Sequence, residues 1–337
     1  MSLSTKYRPQ DFDDVIGQEA VVQILKRQLE TGTFVHSYLL CGASGCGKTT
    51  LARIFAKKLN GNYDGIIDID AASNNGVENV RNIIKSAQER SVSSKYKVFI
   101  IDECHSITIQ GWQAFLKCIE EPPAYTIFIF CTTDPQKVPV TIQNRCQKHV
   151  ITKLGLKQIK DRLRFICREE HLKVDDSTLQ YIARLSNGSL RQSITYLEQS
   201  LGIDGNLSIE NVIRATGGSV YDTYFKLANS IIDQNVKAVT TLLNDELDKG
   251  VDVKVFVDQF FAFCLDLVKY SLFKDFGVTS IPETYYEQLN SSTNFEYADK
   301  YYMYMVDKIL DVKSGLKSET SPREFVDASF MRICSWK

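Results

Sequence analysis

Residues Gly42-Ala43-Ser44-Gly45-Cys46-Gly47-Lys48-Thr49 fit the pattern G-x-x-x-x-G-K-[ST], and the apolar run Tyr38-Leu39-Leu40-Cys41 comes directly before them. The helix-forming stretch Thr50-Leu51-Ala52-Arg53-Ile54-Phe55-Ala56 follows. A strand feeding a glycine-rich turn that opens a helix is a phosphate-binding loop, and it commits this part of the chain to an α/β layer fold. The glycines let the loop curl so that backbone N–H groups point inward, and the helix beginning near Lys48 adds the positive end of its dipole. The pattern predicts a nucleoside-triphosphate cradle made of residues 42–49 with Thr50, Lys48 reaching the β- and γ-phosphates and Thr49 holding Mg2+.

A triphosphatase also needs a strand that ends in carboxylates. Lys97-Val98-Phe99-Ile100-Ile101-Asp102-Glu103 supplies one, with four apolar residues in the manner of a parallel strand buried on both faces, then two acids. Asp102 is expected to hold the magnesium through water, and Glu103 to orient or deprotonate the attacking water.

With 337 residues, 44% of them hydrophobic, the chain can bury at least two cores. It has no apolar run of about 18 residues, the length a membrane helix needs, and Met1-Ser2-Leu3-Ser4-Thr5-Lys6 lacks the apolar segment of a signal peptide. A soluble, cytoplasmic protein without membrane contact is expected. The nine cysteines contain no C-x-x-C spacing and several fall in strand or loop contexts, so reduced thiols are expected rather than a disulfide framework or a zinc site. The net charge is −1, mildly basic at the front and acidic in the tail, so a polyanion would meet the front.

Strand candidates near 37–41, 66–70, 97–101, 126–131 and 148–151 alternate with helical stretches near 48–59, 77–89, 110–120 and 139–144. That alternation predicts a parallel sheet with helices on both faces. Beyond Thr152 the patterning is helical, first over 156–170, 175–186 and 189–201 with a stop at Asn187-Gly188, then through an aromatic-rich tail broken at Gly217-Gly218, Gly250, Gly277 and Ser321-Pro322. Three domains are expected: a P-loop ATPase domain over 1–154, a small helical lid over 155–206 and an all-α collar and oligomerisation domain over 207–337. The tail tyrosines Tyr285, Tyr286, Tyr301, Tyr302 and Tyr304 read as core and subunit contact, because they come with net negative charge.

Lys6-Tyr7-Arg8-Pro9, Val15-Ile16-Gly17-Gln18, Ile69-Asp70-Ala71-Ala72-Ser73, Thr132-Thr133-Asp134-Pro135-Gln136-Lys137 and Asn144-Arg145-Cys146 occur in that order around the two motifs above. Together they resemble the AAA+ clamp-loader ATPases, and within them the gamma/tau type of DNA polymerase III subunit, bacterial or phage-encoded. The resemblance covers residues 5 to about 200; beyond that, length and helical character agree.

The resemblance implies roles. Tyr7, Arg8, Pro9, Val15, Ile16 and Gly17 would line the adenine pocket. Thr133 would be the polar sensor at the end of its strand, near the γ-phosphate or the attacking water. Arg145 would be the arginine finger that enters a neighbouring subunit's ATP site, where a guanidinium neutralises charge growing on the transferred phosphoryl group. Arg191, in Gly188-Ser189-Leu190-Arg191, would reach from the lid to the γ-phosphate of its own subunit. Arg81 and Thr141 fall where relatives face the DNA backbone, whereas Asn74 and Gly76 replace positions that are often basic.

The implied activity is ATP hydrolysis with Mg2+ at subunit interfaces, in a pentameric assembly with other clamp-loader subunits that loads a sliding clamp onto primer-template DNA. Leu59-Asn60-Gly61-Asn62-Tyr63-Asp64-Gly65 stands where bacterial relatives usually carry a four-cysteine zinc module, and Ser335-Trp336-Lys337 ends the sequence where a tau-type extension would follow. A short, gamma-like form without zinc is therefore expected. The alternatives are another AAA+ DNA motor, such as a branch-migration helicase or an initiator-type loader, and a structural subunit that binds nucleotide without turnover.

Overall fold

The structure, a computed structural model, describes residues 2–216, 221–282 and 285–335. The Gly217-Gly218 break and the terminal Trp336-Lys337 lie outside them. Two compact units emerge: Met1–Ile166 with Ser186–Thr195, and Cys167–Leu185 with Tyr196–Lys337.

The first unit is built on five parallel strands, β1 Ser37–Gly42, β2 Ile66–Asp70, β3 Lys97–Asp102, β4 Thr126–Thr132 and β5 Gln147–Ile151, in the order β2-β3-β4-β1-β5. The central strands are apolar between their ends, as strands covered on both faces require. Odd and even positions part cleanly: Leu39, Phe99, Ile101, Phe128 and Phe130 share one core with Val80, Trp112 and Phe115. Tyr38, Leu40, Val98, Ile100, Ile127 and Ile129 share the other with Val21, Leu25, Leu51 and Phe55. Each such side chain stabilises the fold by roughly 1.5–3 kcal/mol on burial.

Helices flank the sheet: α1 Leu3–Lys6, α2 Glu19–Thr31, α3 Lys48–Asn60, α4 Val77–Ala87, α5 Ile109–Glu120 and α6 Val140–Gln143. The chain continues through α7 Leu156–Glu169, α8 Asp176–Leu185 and α9 Leu190–Asp204. α2 is absent from the sequence reading. It starts without a side-chain cap, behind Gln18 in a left-handed conformation (φ 65°), so the usual Ser/Thr/Asp start signal is missing. Gln18 instead clamps the end of β5, donating from Nε2 to the Thr152 carbonyl at 2.7 Å and accepting the Thr152 N–H on Oε1 at 3.0 Å. α5, by contrast, carries its own signals. Thr108 Oγ1 accepts the Gly111 N–H at 3.1 Å, and Pro122-Pro123 bar continuation past Glu121.

The second unit contains α8 and the tail helices α10 Ile209–Ala215, α11 Tyr221–Ile232, α12 Val236–Asp248, α13 Val253–Phe273, α14 Tyr286–Ser292, α15 Ala298–Gly315 and α16 Pro322–Cys334. Its core is aromatic: Tyr224, Phe256, Phe260 and Phe263 pack together, and Phe330 of α16 lies 5.6 Å from Phe260, centroid to centroid. Tyr302 is fully buried and donates its hydroxyl to the Ser292 carbonyl at 2.6 Å, while Tyr285 packs on Tyr221. No helix among the described residues is long and apolar enough to cross a membrane.

Candidate nucleotide site

Strand order determines what can meet. β1 pairs with β4, Cys41 beside Thr132, and β4 pairs with β3, Phe130 beside Ile101. The end of β4 thus stands between the loop after β1 and the acids after β3, at the carboxyl ends of the strands where open α/β sheets bind ligands.

In the loop, Gly47 has φ 107° and Gly45 has φ 73°, conformations that favour glycine. A Cβ on Gly45 would also stand 2.1 Å from Ser189 Oγ and 3.2 Å from Arg191 Cβ. Lys48 is buried at 5% exposure. Its ammonium donates to the carbonyls of Gly42 and Ala43, both at 2.9 Å. Cys46 donates its S–H to the Ala43 carbonyl at 2.8 Å, and burial raises its thiol pKa, so it stays protonated. Thr49 Oγ1 donates to Asp102 Oδ2 at 2.6 Å, and Asp102 Oδ1 accepts the Glu103 N–H at 3.0 Å.

Glu103 has a left-handed backbone, φ 47° and ψ 41°, which costs a non-glycine residue roughly 1–2 kcal/mol. Its Oε2 accepts from Thr133 Oγ1 at 3.2 Å and lies 3.4 Å from His105 Nδ1. His105 did not figure in the sequence reading.

Beside the loop opens a cavity of about 240 Å3. Tyr7, Arg8, Pro9, Val15 and Ile16 line it, with Gly45 to Thr50 of the loop and Arg191. Its apolar wall is completed by Leu51, Leu154, Leu190 and Ile194, which the sequence reading did not assign to the pocket. Gly17 stays outside the lining; it makes the preceding turn (φ 66°), and a Cβ there would meet Leu154 Cδ2 at 2.7 Å.

Arg8 reaches from that lining to the helix after the loop. Its Nε donates to Thr50 Oγ1 on the first turn of α3 at 3.1 Å. Burial, then nearby Arg53, lowers its pKa, with Arg191 and Asp102 also in range. Arg191 owes its position to the start of α9, where Ser189 Oγ accepts the Gln192 N–H at 3.3 Å and the Leu154 N–H donates to the Gly188 carbonyl at 3.1 Å.

The other expected residues lie apart from the cavity. Arg145 is exposed, with Nη1 donating to the Thr141 carbonyl at 2.7 Å and Nη2 paired with Glu120 Oε1 at 2.6 Å. Arg81 pairs with Glu78 at 2.8 Å. Asn74 donates its side-chain amide back to the Asp70 carbonyl at 3.0 Å.

The residues present fit the ligands that the loop implies. A buried ammonium hydrogen-bonded to two carbonyls carries uncompensated charge that a phosphate would neutralise. A threonine hydroxyl touching a carboxylate is a hard-oxygen pair of the kind Mg2+ takes.

Comparison with known proteins agrees with the fold. A family model described as "DNA polymerase III, delta subunit" matches residues 60–155, and an "RCF1/5-like, AAA+ ATPase lid domain" matches 161–199. The DNA polymerase III subunit tau of Bacillus subtilis is 33% identical over 97% of the chain and 62% of its own length. The Escherichia coli tau subunit is 35% identical over 74% of the chain and 42% of its own. The subunit gamma of Buchnera aphidicola is 29% identical over 99% of the chain and 98% of its own. The chain thus spans about two fifths to three fifths of the two tau relatives and nearly all of the gamma relative. Among solved structures, the Thermotoga maritima RuvB Holliday junction branch migration motor superposes with a TM-score of 0.52 at 20% identity, over 71% of this chain and 85% of that one. That likeness establishes a shared fold and no more. By fold and by relatives, this chain has the AAA+ architecture and is similar over most of its length to the gamma and tau subunits of bacterial DNA polymerase III.

Proposed function

We propose that the chain is an ATPase subunit of a clamp loader, binding ATP–Mg2+ in the cavity beside residues 42–49 and hydrolysing it at subunit interfaces to load a sliding clamp onto primed DNA. The observation that carries the reading is the convergence of Lys48, Thr49, Asp102, Glu103, Thr133 and Arg191 around one end of the sheet. The relatives' names lend it a replication context. In this reading residues 1–154 form the motor, 155–206 the lid and 207–337 the collar through which five subunits assemble.

Each residue has a physical task. Lys48 and the N–H groups of the loop neutralise the phosphates. Thr49 and Asp102 would hold Mg2+, which when bound screens the phosphate charge. Glu103 takes a proton from the water whose oxygen bonds to the γ-phosphorus as the bond to the leaving ADP oxygen breaks. Arg145 acts in trans, and Arg191 links lid position to the γ-phosphate. ATP then favours the clamp-gripping arrangement by its tighter binding there, and loss of the γ-phosphate removes that difference. Arg81 and Thr141 would meet the DNA backbone, so salt dependence is steep and sequence preference low.

Single-turnover ATP hydrolysis by the assembled loader, with and without clamp and primed DNA, tests the reading. Glu103→Gln should bind ATP and fail to turn it over. Equal rates in the variant and the parent would mean a nucleotide-binding structural subunit, and turnover indifferent to the clamp would point to another motor on the same core.

A further inference from the structure

The triphosphatase reading uses Asp102 and Glu103 and leaves the histidine two residues on without a task. His105 follows Glu103 on the turn after β3, and Thr132 and Thr133 close β4 beside it. His105 Nδ1 lies 3.1 Å from Thr132 Oγ1 and 3.4 Å from Glu103 Oε2. Thr132 is fully buried in β4, and its Oγ1 already accepts the Asp134 N–H at 3.0 Å. Nδ1 therefore faces a carboxylate oxygen and a hydroxyl oxygen. A ring lone pair pointed at the carboxylate would be repelled, so the proton is assigned to Nδ1, with the Thr132 hydroxyl oxygen as its acceptor. With Thr133 donating to the same oxygen at 3.2 Å, Oε2 is the oxygen held on this side, which leaves Oε1 as the oxygen able to take a proton. The glutamate side chain is 37% exposed and the histidine 20%, so the histidine is the better-fixed partner.

We infer that His105 is a positioning residue for hydrolysis: anchored on Thr132, its Nδ1–H fixes the direction of the Glu103 carboxylate. The inference rests on Glu103 being the group that handles the attacking water. It predicts a dependence on one particular N–H. Asparagine can place an amide N–H near the position of Nδ1, whereas glutamine places its amide near that of Nε2.

The experiment compares His105→Ala, His105→Asn, His105→Gln and Glu103→Gln in the full chain within its assembly, reading single-turnover hydrolysis at saturating ATP, ATP affinity with Mg2+ and the thermal midpoint. His105→Ala should lose about tenfold in rate, the scale typical of outer partners that orient a functional group, with ATP affinity unchanged. His105→Asn should recover most of that loss and His105→Gln should not. Parent-like turnover in His105→Ala beside a dead Glu103→Gln would overturn the inference alone. Parent-like turnover in Glu103→Gln would instead remove the reading beneath it. Equal losses in the asparagine and glutamine variants, with weaker ATP binding, would mark a structural role and also overturn the inference; if His105→Ala fails to fold, that pair decides.

Discussion

Lys48 is buried and donates to two carbonyls, whereas Arg145 lies at the surface against Glu120 and the Thr141 carbonyl. Their surroundings predict different consequences of loss. Arg145 and Glu120 have 38% and 44% of their side chains exposed, and exposed ion pairs contribute about 0–1 kcal/mol to stability. As a finger acting on a neighbour's phosphate, the same guanidinium would be worth about 10³ to 10⁵ in rate. Arg145→Ala should therefore leave the unfolding midpoint and ATP affinity almost unmoved while assembly-dependent turnover collapses. Turnover within twofold of the parent would remove the finger assignment. At this scale the sequence was informative where a motif is local: the glycines, Lys48 and Thr49 are contiguous, and Asp102 ends an apolar run. His105 was not legible, because its task comes from β4, which contacts it across the sheet. Leu154, Leu190 and Ile194 escaped for the same reason, joining the cavity from separate segments.

The elements divide in a similar way. β1, β3 and β4 are apolar on both faces and therefore stand out as runs, and α5 announces both of its ends. α2 is amphipathic but starts behind a left-handed glutamine, so no local rule marks its beginning. Its entry is set by the bonds between Gln18 and Thr152, on segments 134 positions apart. Gln18→Ala would strip partners from the Thr152 N–H and carbonyl together. Hydrogen bonds of this partly buried kind contribute about 0.5–1.5 kcal/mol each. A loss of that size should appear in the urea midpoint, together with weaker ATP binding, since Val15 and Ile16 of the cavity wall lie just before the clamp. Unaltered ATP affinity in a destabilised variant would show that the clamp supports the sheet and not the cavity.

Among the described residues the molecule carries a core on each face of the sheet and an aromatic one among the tail helices. Every residue that lines the nucleotide cavity belongs to Met1–Ile166 or Ser186–Thr195, the first compact unit. A ligand stabilises the state to which it binds by RT ln(1 + [L]/Kd), about 2.7 kcal/mol at a hundred times Kd. That stabilisation should fall on the first unit. Calorimetry of the full chain is expected to resolve two unfolding transitions, of which ATP–Mg2+ raises one and leaves the other in place. Lys48→Ala should abolish the shift without moving the transition of the tail unit, because its cation faces only the phosphate loop. A single transition that rises as a whole with ATP would mean that the two units unfold as one cooperative body, and that nucleotide energy reaches the tail helices directly.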